Sequence, residues 1–162
     1  EAGTTEGDFK VDWEGDFYNG TNLTVATTNN VYLDGLAALP EDASSSGPGP
    51  DPSNPHIYLW MSDYHPDGAQ LFWPREPMPF VVALGPGAVG DDVTPADMRA
   101  FYVPAGKGVY LNPGTWHNGV YVTPEHSPAT FLTRQGRVHG RVSVSWAVEF
   151  DTLLRVPLSF RG

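Results

Sequence analysis

Short apolar stretches separated by glycine and proline set the rhythm of this chain. From His56 to His65 the residues alternate, with Ile57, Leu59, Met61, Asp63 and His65 on one face and Tyr58, Trp60, Ser62 and Tyr64 on the other. The face that starts apolar ends in two polar residues. This predicts a strand that lines an interior and delivers Asp63 and His65 near one end. Val142–Phe150 alternates in the same way and predicts another long strand, with Val142, Val144, Trp146 and Val148 opposed to Ser143, Ser145, Ala147 and Glu149. The β-branched run Thr21–Thr28 and the stretches Pro79–Gly85, Met98–Pro104, Gly108–Leu111, Gly119–Val122 and Thr130–Thr133 predict further strands. Helical periodicity is weak; it predicts a single turn near Pro95–Met98 behind the capping residue Thr94.

The chain has 18 glycines and 16 prolines among 162 residues, spread between the apolar runs as turn signals. Roughly eight or more short strands in a chain of this length predict one all-β domain over residues 1–162, a barrel or jelly roll. Residues 40–55 shift to Ser, Gly, Pro and Asp. Too little chain precedes them to form a separate core, so they are expected to form a solvated loop of the same domain.

Charge narrows the partners. Nineteen acidic residues against nine basic ones give a formal net charge of -10, which repels nucleic-acid phosphates and anionic lipid headgroups. No apolar run approaches the roughly 18 to 20 residues that span a bilayer, so no membrane insertion is expected and the protein is predicted to be soluble. Cysteine is absent, which excludes disulfides, thiolate metal sites and a cysteine nucleophile. The chain starts at Glu1, which reads as a processed form or a piece of something longer.

The chemistry is concentrated in two segments, Asp63–Pro74 and Ala105–Gly119. Asp63 and His65 share a strand face, Gln70 returns after the Pro66–Gly68 turn, and His117 follows the Pro113–Gly114 bend. Asp63, His65, Gln70 and His117 are therefore expected to converge in the barrel mouth, where they could hold one divalent metal ion or a small anion. Other polar candidates read as ordinary. His56, His126 and His139 are expected at the surface. Arg134, Arg137 and Arg141 are expected on a solvated hairpin, and the tryptophans in the core or at an interface.

The two segments resemble the paired motifs of the cupin superfamily. The first motif has a pair of histidines, one residue apart, ahead of a Glu; Asp63, His65 and Gln70 stand at those places here. The second motif has a Gly ahead of a Pro-x-Gly-x-x-His turn; Gly106, Gly114 and His117 fit, with the proline shifted to Pro113. The wording HPDGAQLFWP, PFVVALG, MRAFYVPAGKGVYLNPGTWHNG and FLT is more specifically similar to the ureidoglycolate lyase family, a branch of the cupins. That resemblance implies a cupin-type β-barrel and cleavage of ureidoglycolate, or a related small hydroxy acid, to glyoxylate and urea in allantoin degradation. It also implies a homodimer and a cytoplasmic location. It assigns catalysis to His65, His117 and Asp63, substrate contacts to Gln70, Tyr110 and Asn118, and a metal, where present, to Asp63, His65, Gln70 and His117.

Three positions depart from the family wording. Tyr64 replaces an Arg, Asn118 often a second His, and Gly119 a Pro. These departures, with Trp60 and Trp73 as surface candidates, motivate a second reading, in which an inactive cupin serves as a structural or accessory subunit of a larger assembly. A metal-dependent isomerase or dioxygenase would show a fuller His/Glu ligand set.

Overall fold

Alternation along Phe80–Gly85 sends Val81 and Ala83 to one apolar cluster and Phe80 and Val82 to another, so this strand is buried on both faces. The computed structural model that shows this describes residues 56–136 and 140–158, with the backbone of 11–14, 17–20 and 22–26. Among the described residues there are strands β1 (Val11–Glu14), β2 (Phe17–Gly20), β3 (Asn22–Ala26), β4 (His56–Leu59), β5 (Met61–Tyr64), β6 (Gln70–Pro74), β7 (Phe80–Gly85), β8 (Arg99–Val103), β9 (Val109–Leu111), β10 (Trp116–Tyr121), β11 (Ala129–Arg134), β12 (Val142–Ser145) and β13 (Leu154–Pro157), and one short helix, α1 (Trp146–Phe150). The expected loop at 40–55 and the candidates Arg137 and His139 lie outside the described residues.

Two antiparallel sheets form the body. One has the order β12-β5-β10-β7-β8, the other β3-β11-β6-β9. Between them lies an inner cluster of Phe72, Phe80, Val82, Leu111, Val120 and Phe131, in which the Phe80 and Phe131 rings meet edge to face at 5.1 Å. The other face of the five-stranded sheet is covered by the β4–β13 pair and α1, which bring Ile57, Leu59, Val156 and Trp146 against Trp116 and Val144. Burial on both faces explains why β7 reads as a continuous apolar run rather than an alternating one. The all-β, cupin-type expectation is borne out, and so is the capped turn. Pro95–Asp97 is a 3₁₀ turn in which the Thr94 hydroxyl and backbone N–H both donate to the Asp97 carboxylate.

Several expectations need correction. His56–His65 is not one strand. It breaks at Trp60, β4 pairing with β13 and β5 with β12 and β10. The Trp60 carbonyl there accepts from the Ala147 N–H instead of continuing a ladder. The break exchanges faces, so Ile57 and Leu59 join the outer cluster together with Tyr64, and Ser62 donates toward Asn118 on that side. The expected strand Val142–Phe150 also stops early. Ser145 caps α1 by accepting from the Val148 N–H, and Asp151 closes the helix in the left-handed region at φ 49°. His56, expected at the surface, is 3% exposed because β13 covers it, and Trp60 is 6% exposed rather than a surface aromatic. Trp116 and Trp146 are buried and Trp73 is exposed, each as expected.

Candidate active site

Three of the expected side chains meet at one end of the space between the sheets. His65 directly follows β5, His117 lies in β10 beside it, and Gln70 opens β6 in the facing sheet. The imidazole rings are 4.9 Å apart, and a single atom of the Gln70 amide, assigned as Oε1, lies 3.0 Å from His65 Nε2 and 2.9 Å from His117 Nε2. All three residues are buried, at 5 to 6% exposure. The β10 ladder is shifted by a bulge between His117 and Val120. The extra residue lets both of them face inward although they are three apart.

The outer ring nitrogens are fixed by backbone. His65 Nδ1 lies 2.9 Å from the Gly140 carbonyl and His117 Nδ1 lies 2.7 Å from the Thr115 carbonyl. A carbonyl only accepts, so each Nδ1 carries a proton. In a neutral ring the Nε2 lone pair then points at Gln70. Two arrangements satisfy the distances. With both rings neutral, the Gln70 NH2 lies between them and donates one N–H to each; with protonated rings, the amide oxygen accepts from them instead. The site therefore holds two bases, with their proton-bearing sides locked, around one switchable amide.

Asp63 sits in register with both His117 and Ser143 across β10, β5 and β12. Its carboxylate accepts from the Ser143 hydroxyl, and its Oδ2 lies 3.8 Å from Arg141 Nη1. Among the described residues no three His, Asp or Glu side chains gather closely enough to hold a metal ion. The Gln70 atom lies at hydrogen-bond range of both Nε2 atoms, a separation that neighbouring ligand atoms also show around a metal ion bound at roughly 2.0–2.1 Å, so His65, His117 and Gln70 are the residues that could hold one. His65, Gln70 and His117 thus form a hydrogen-bonded cluster, while the Asp63 carboxylate is engaged by Ser143 and Arg141.

The two remaining candidates lie elsewhere. Asn118, one residue after His117, points to the opposite side of the sheet, where it accepts from Ser62 Oγ at 2.7 Å and donates to the Met61 carbonyl at 2.6 Å. Tyr110 is 57% exposed on β9, opposite Leu71. Tyr64, the departure from the family's Arg, also faces away. It stacks edge-on against Trp116 at 4.8 Å and donates to Asp91 at 2.8 Å, which holds its pKa above the ordinary value. A groove of about 360 Å³ lined by Asp91, Asp92, Trp116, Val142 and Phe150 lies on that outer side, and none of the histidine cluster lines it. Sequence reasoning missed the Gly140 and Thr115 carbonyls, which any residue could supply. Arg141, expected to be solvated and to offset local acidic charge, is exposed and its guanidinium faces Asp63.

Two packed antiparallel sheets with a polar cluster of two histidines and a glutamine at one end define a cupin-type barrel. The family model described as ureidoglycolate lyase matches residues 25–144, and the chain belongs to that family. The proteins named ureidoglycolate lyase from Stutzerimonas stutzeri, Pseudomonas aeruginosa and Pseudomonas syringae are each 33% identical to it over 80 residues, which is 49% of this chain and 46% of theirs. The chain thus spans about half the length of the curated relatives it matches. No described helix is long and apolar enough to cross a membrane.

Proposed function

We propose that the protein is a lyase that cleaves ureidoglycolate to glyoxylate and urea. The observation that carries this is the pair of imidazoles with both Nδ1 protons held by backbone carbonyls and both Nε2 atoms turned to one point. The reaction removes one proton and delivers another, and two imidazoles sharing one substrate can do both. One ring enters neutral and the other protonated. His117, whose Nδ1 bond is the shorter and therefore the better support for a basic Nε2, accepts the proton of the carbinol hydroxyl. The C–O bond becomes the carbonyl of glyoxylate, and the electron pair of the breaking C–N bond passes to the urea nitrogen. His65 donates its proton to that nitrogen. The two rings have then exchanged states, and proton exchange through solvent resets them. Asp63, in register beside His117, stabilises the imidazolium formed there, and Arg141, which faces Asp63, supplies positive charge for the substrate carboxylate. Substrate reaches the rings by displacing the Gln70 amide from between them. His65, Gln70 and His117 are the residues that would hold a divalent ion, which would supply Lewis-acid polarisation of the substrate oxygens, and no step here is routed through one.

The departures that motivated an inactive accessory subunit do not touch this machinery. Tyr64 and Asn118 both face the outer side of the sheet, in hydrogen bonds with Asp91, Ser62 and Met61. The test is to follow glyoxylate release from ureidoglycolate. His117→Ala and His65→Ala are each expected to lose on the order of 10² to 10⁴-fold in kcat while remaining folded. A folded wild-type protein that releases no glyoxylate would sink the proposal and return the accessory reading.

A further inference from the structure

The polar lining of the inner space extends past the histidine pair. Thr133 is 2% exposed and its hydroxyl has no hydrogen-bond partner. It lies on the face of β11 that sends Ala129 and Phe131 into the inner cluster, so the hydroxyl points into the same space as Gln70 and His117. Pairing of β11 with β6 places Thr133 opposite Phe72 and Arg134 opposite Leu71. One step further, Gln135 falls opposite Gln70, and it too is buried, at 4% exposure. Thr133 is then the diagonal neighbour of Gln70, at the roughly 7–8 Å typical of that position. A buried hydroxyl with no partner costs stability that a valine of the same shape would not. Its place in the same polar end of the barrel calls for a ligand.

The chemistry of the ligand follows from what each side of the space offers. Charge sits with the imidazoles, Asp63 and Arg141. Thr133 and Gln135 are uncharged, and between them supply both donors and acceptors. We propose that Thr133, with Gln135 beside it, binds the uncharged ureido group of the substrate and so selects ureido-bearing hydroxy acids over plain ones. This rests on the lyase reading above. The diagonal spacing suits a substrate whose carbinol carbon lies at the imidazoles while its terminal amide reaches Thr133.

The test uses two unreactive probes, ureidoacetate (which keeps the ureido group and lacks the hydroxyl) and glycolate (which lacks the ureido group), measured by isothermal titration on the full chain. Thr133→Val is expected to weaken ureidoacetate roughly tenfold, the equivalent of one hydrogen bond, and to leave glycolate within about twofold. Its melting temperature should equal or exceed that of the wild type, and Thr133→Ser should bind as the wild type does. Unchanged ureidoacetate affinity in Thr133→Val, or equal loss for both probes, overturns the inference while leaving the lyase reading intact if glyoxylate is still released. Selective loss in a protein that releases no glyoxylate would support the ureido subsite and sink the lyase. A wild type that binds neither probe removes both.

Discussion

Replacing Gln70 with methionine removes the amide that both imidazoles share and keeps the length of the side chain. The histidines are 6% and 5% exposed, so their Nε2 atoms have little access to water once the amide is gone. Each buried polar atom left without a partner costs about 1–3 kcal/mol. Two such atoms therefore cost about 2–6 kcal/mol, reduced by the desolvation of the Gln70 amide that no longer has to be met. A net loss of about 2–4 kcal/mol is expected, which in a domain of this size lowers the melting temperature by roughly 5–15 °C. Differential scanning calorimetry and urea titration should agree, with the urea midpoint lowered at unchanged slope. Gln70→Glu separates the two proton arrangements. A carboxylate can only accept, so it favours protonated rings, and this variant should gain stability relative to the wild type as the pH falls. A Gln70→Met protein that melts within about 1 °C of the wild type would show that the amide does not hold the pair together, and the acid–base assignment built on it would fail.

Three further outcomes follow from the same geometry. A Cβ on Gly136 would lie 2.8 Å from the Gly68 Cα, backbone that cannot yield, so Gly136→Ala should destabilise the protein by about 1–3 kcal/mol in chemical denaturation and reduce glyoxylate release, since the Gly68 backbone between His65 and Gln70 is pushed with it. The Thr94 hydroxyl and then its backbone N–H hold the Asp97 carboxyl below its ordinary value. That stabilisation is present above the unfolded carboxylate value of about 4 and is lost as the pH falls through the lower folded value, so Asp97→Asn should melt below the wild type at neutral pH and converge with it in acid. Exhaustive chelation should leave both melting temperature and turnover unchanged; activity that disappears and returns with one divalent ion would refute the metal-free mechanism and assign the ion to the residues expected from the motif.

Period-two alternation and turn residues were enough to predict an all-β fold, and the wording of the segments around His65, Gln70 and His117 was enough to point to one family. These are local or sequential properties, and the chain carries them openly. Where the β5 strand begins, by contrast, depends on Trp60 finding the Ala147 N–H, a contact between residues 87 apart. That break decides which face Ile57, Leu59 and Tyr64 occupy, and no window of sequence contains it. Alternation had already turned Tyr64 away from Asp63 and His65, but the departure at Asn118 looked like damage to a site until the sheet showed it on its other side. The proton position of His65 belongs to tertiary structure, because it is set by the carbonyl of Gly140 far along the chain, whereas that of His117 is set locally by the carbonyl of Thr115, and neither carbonyl has a signature in the sequence. Residue types determined the family and the chemical inventory; the fold decided which nitrogen of each ring faces the reaction, because only a neighbouring acceptor can decide where an imidazole keeps its proton.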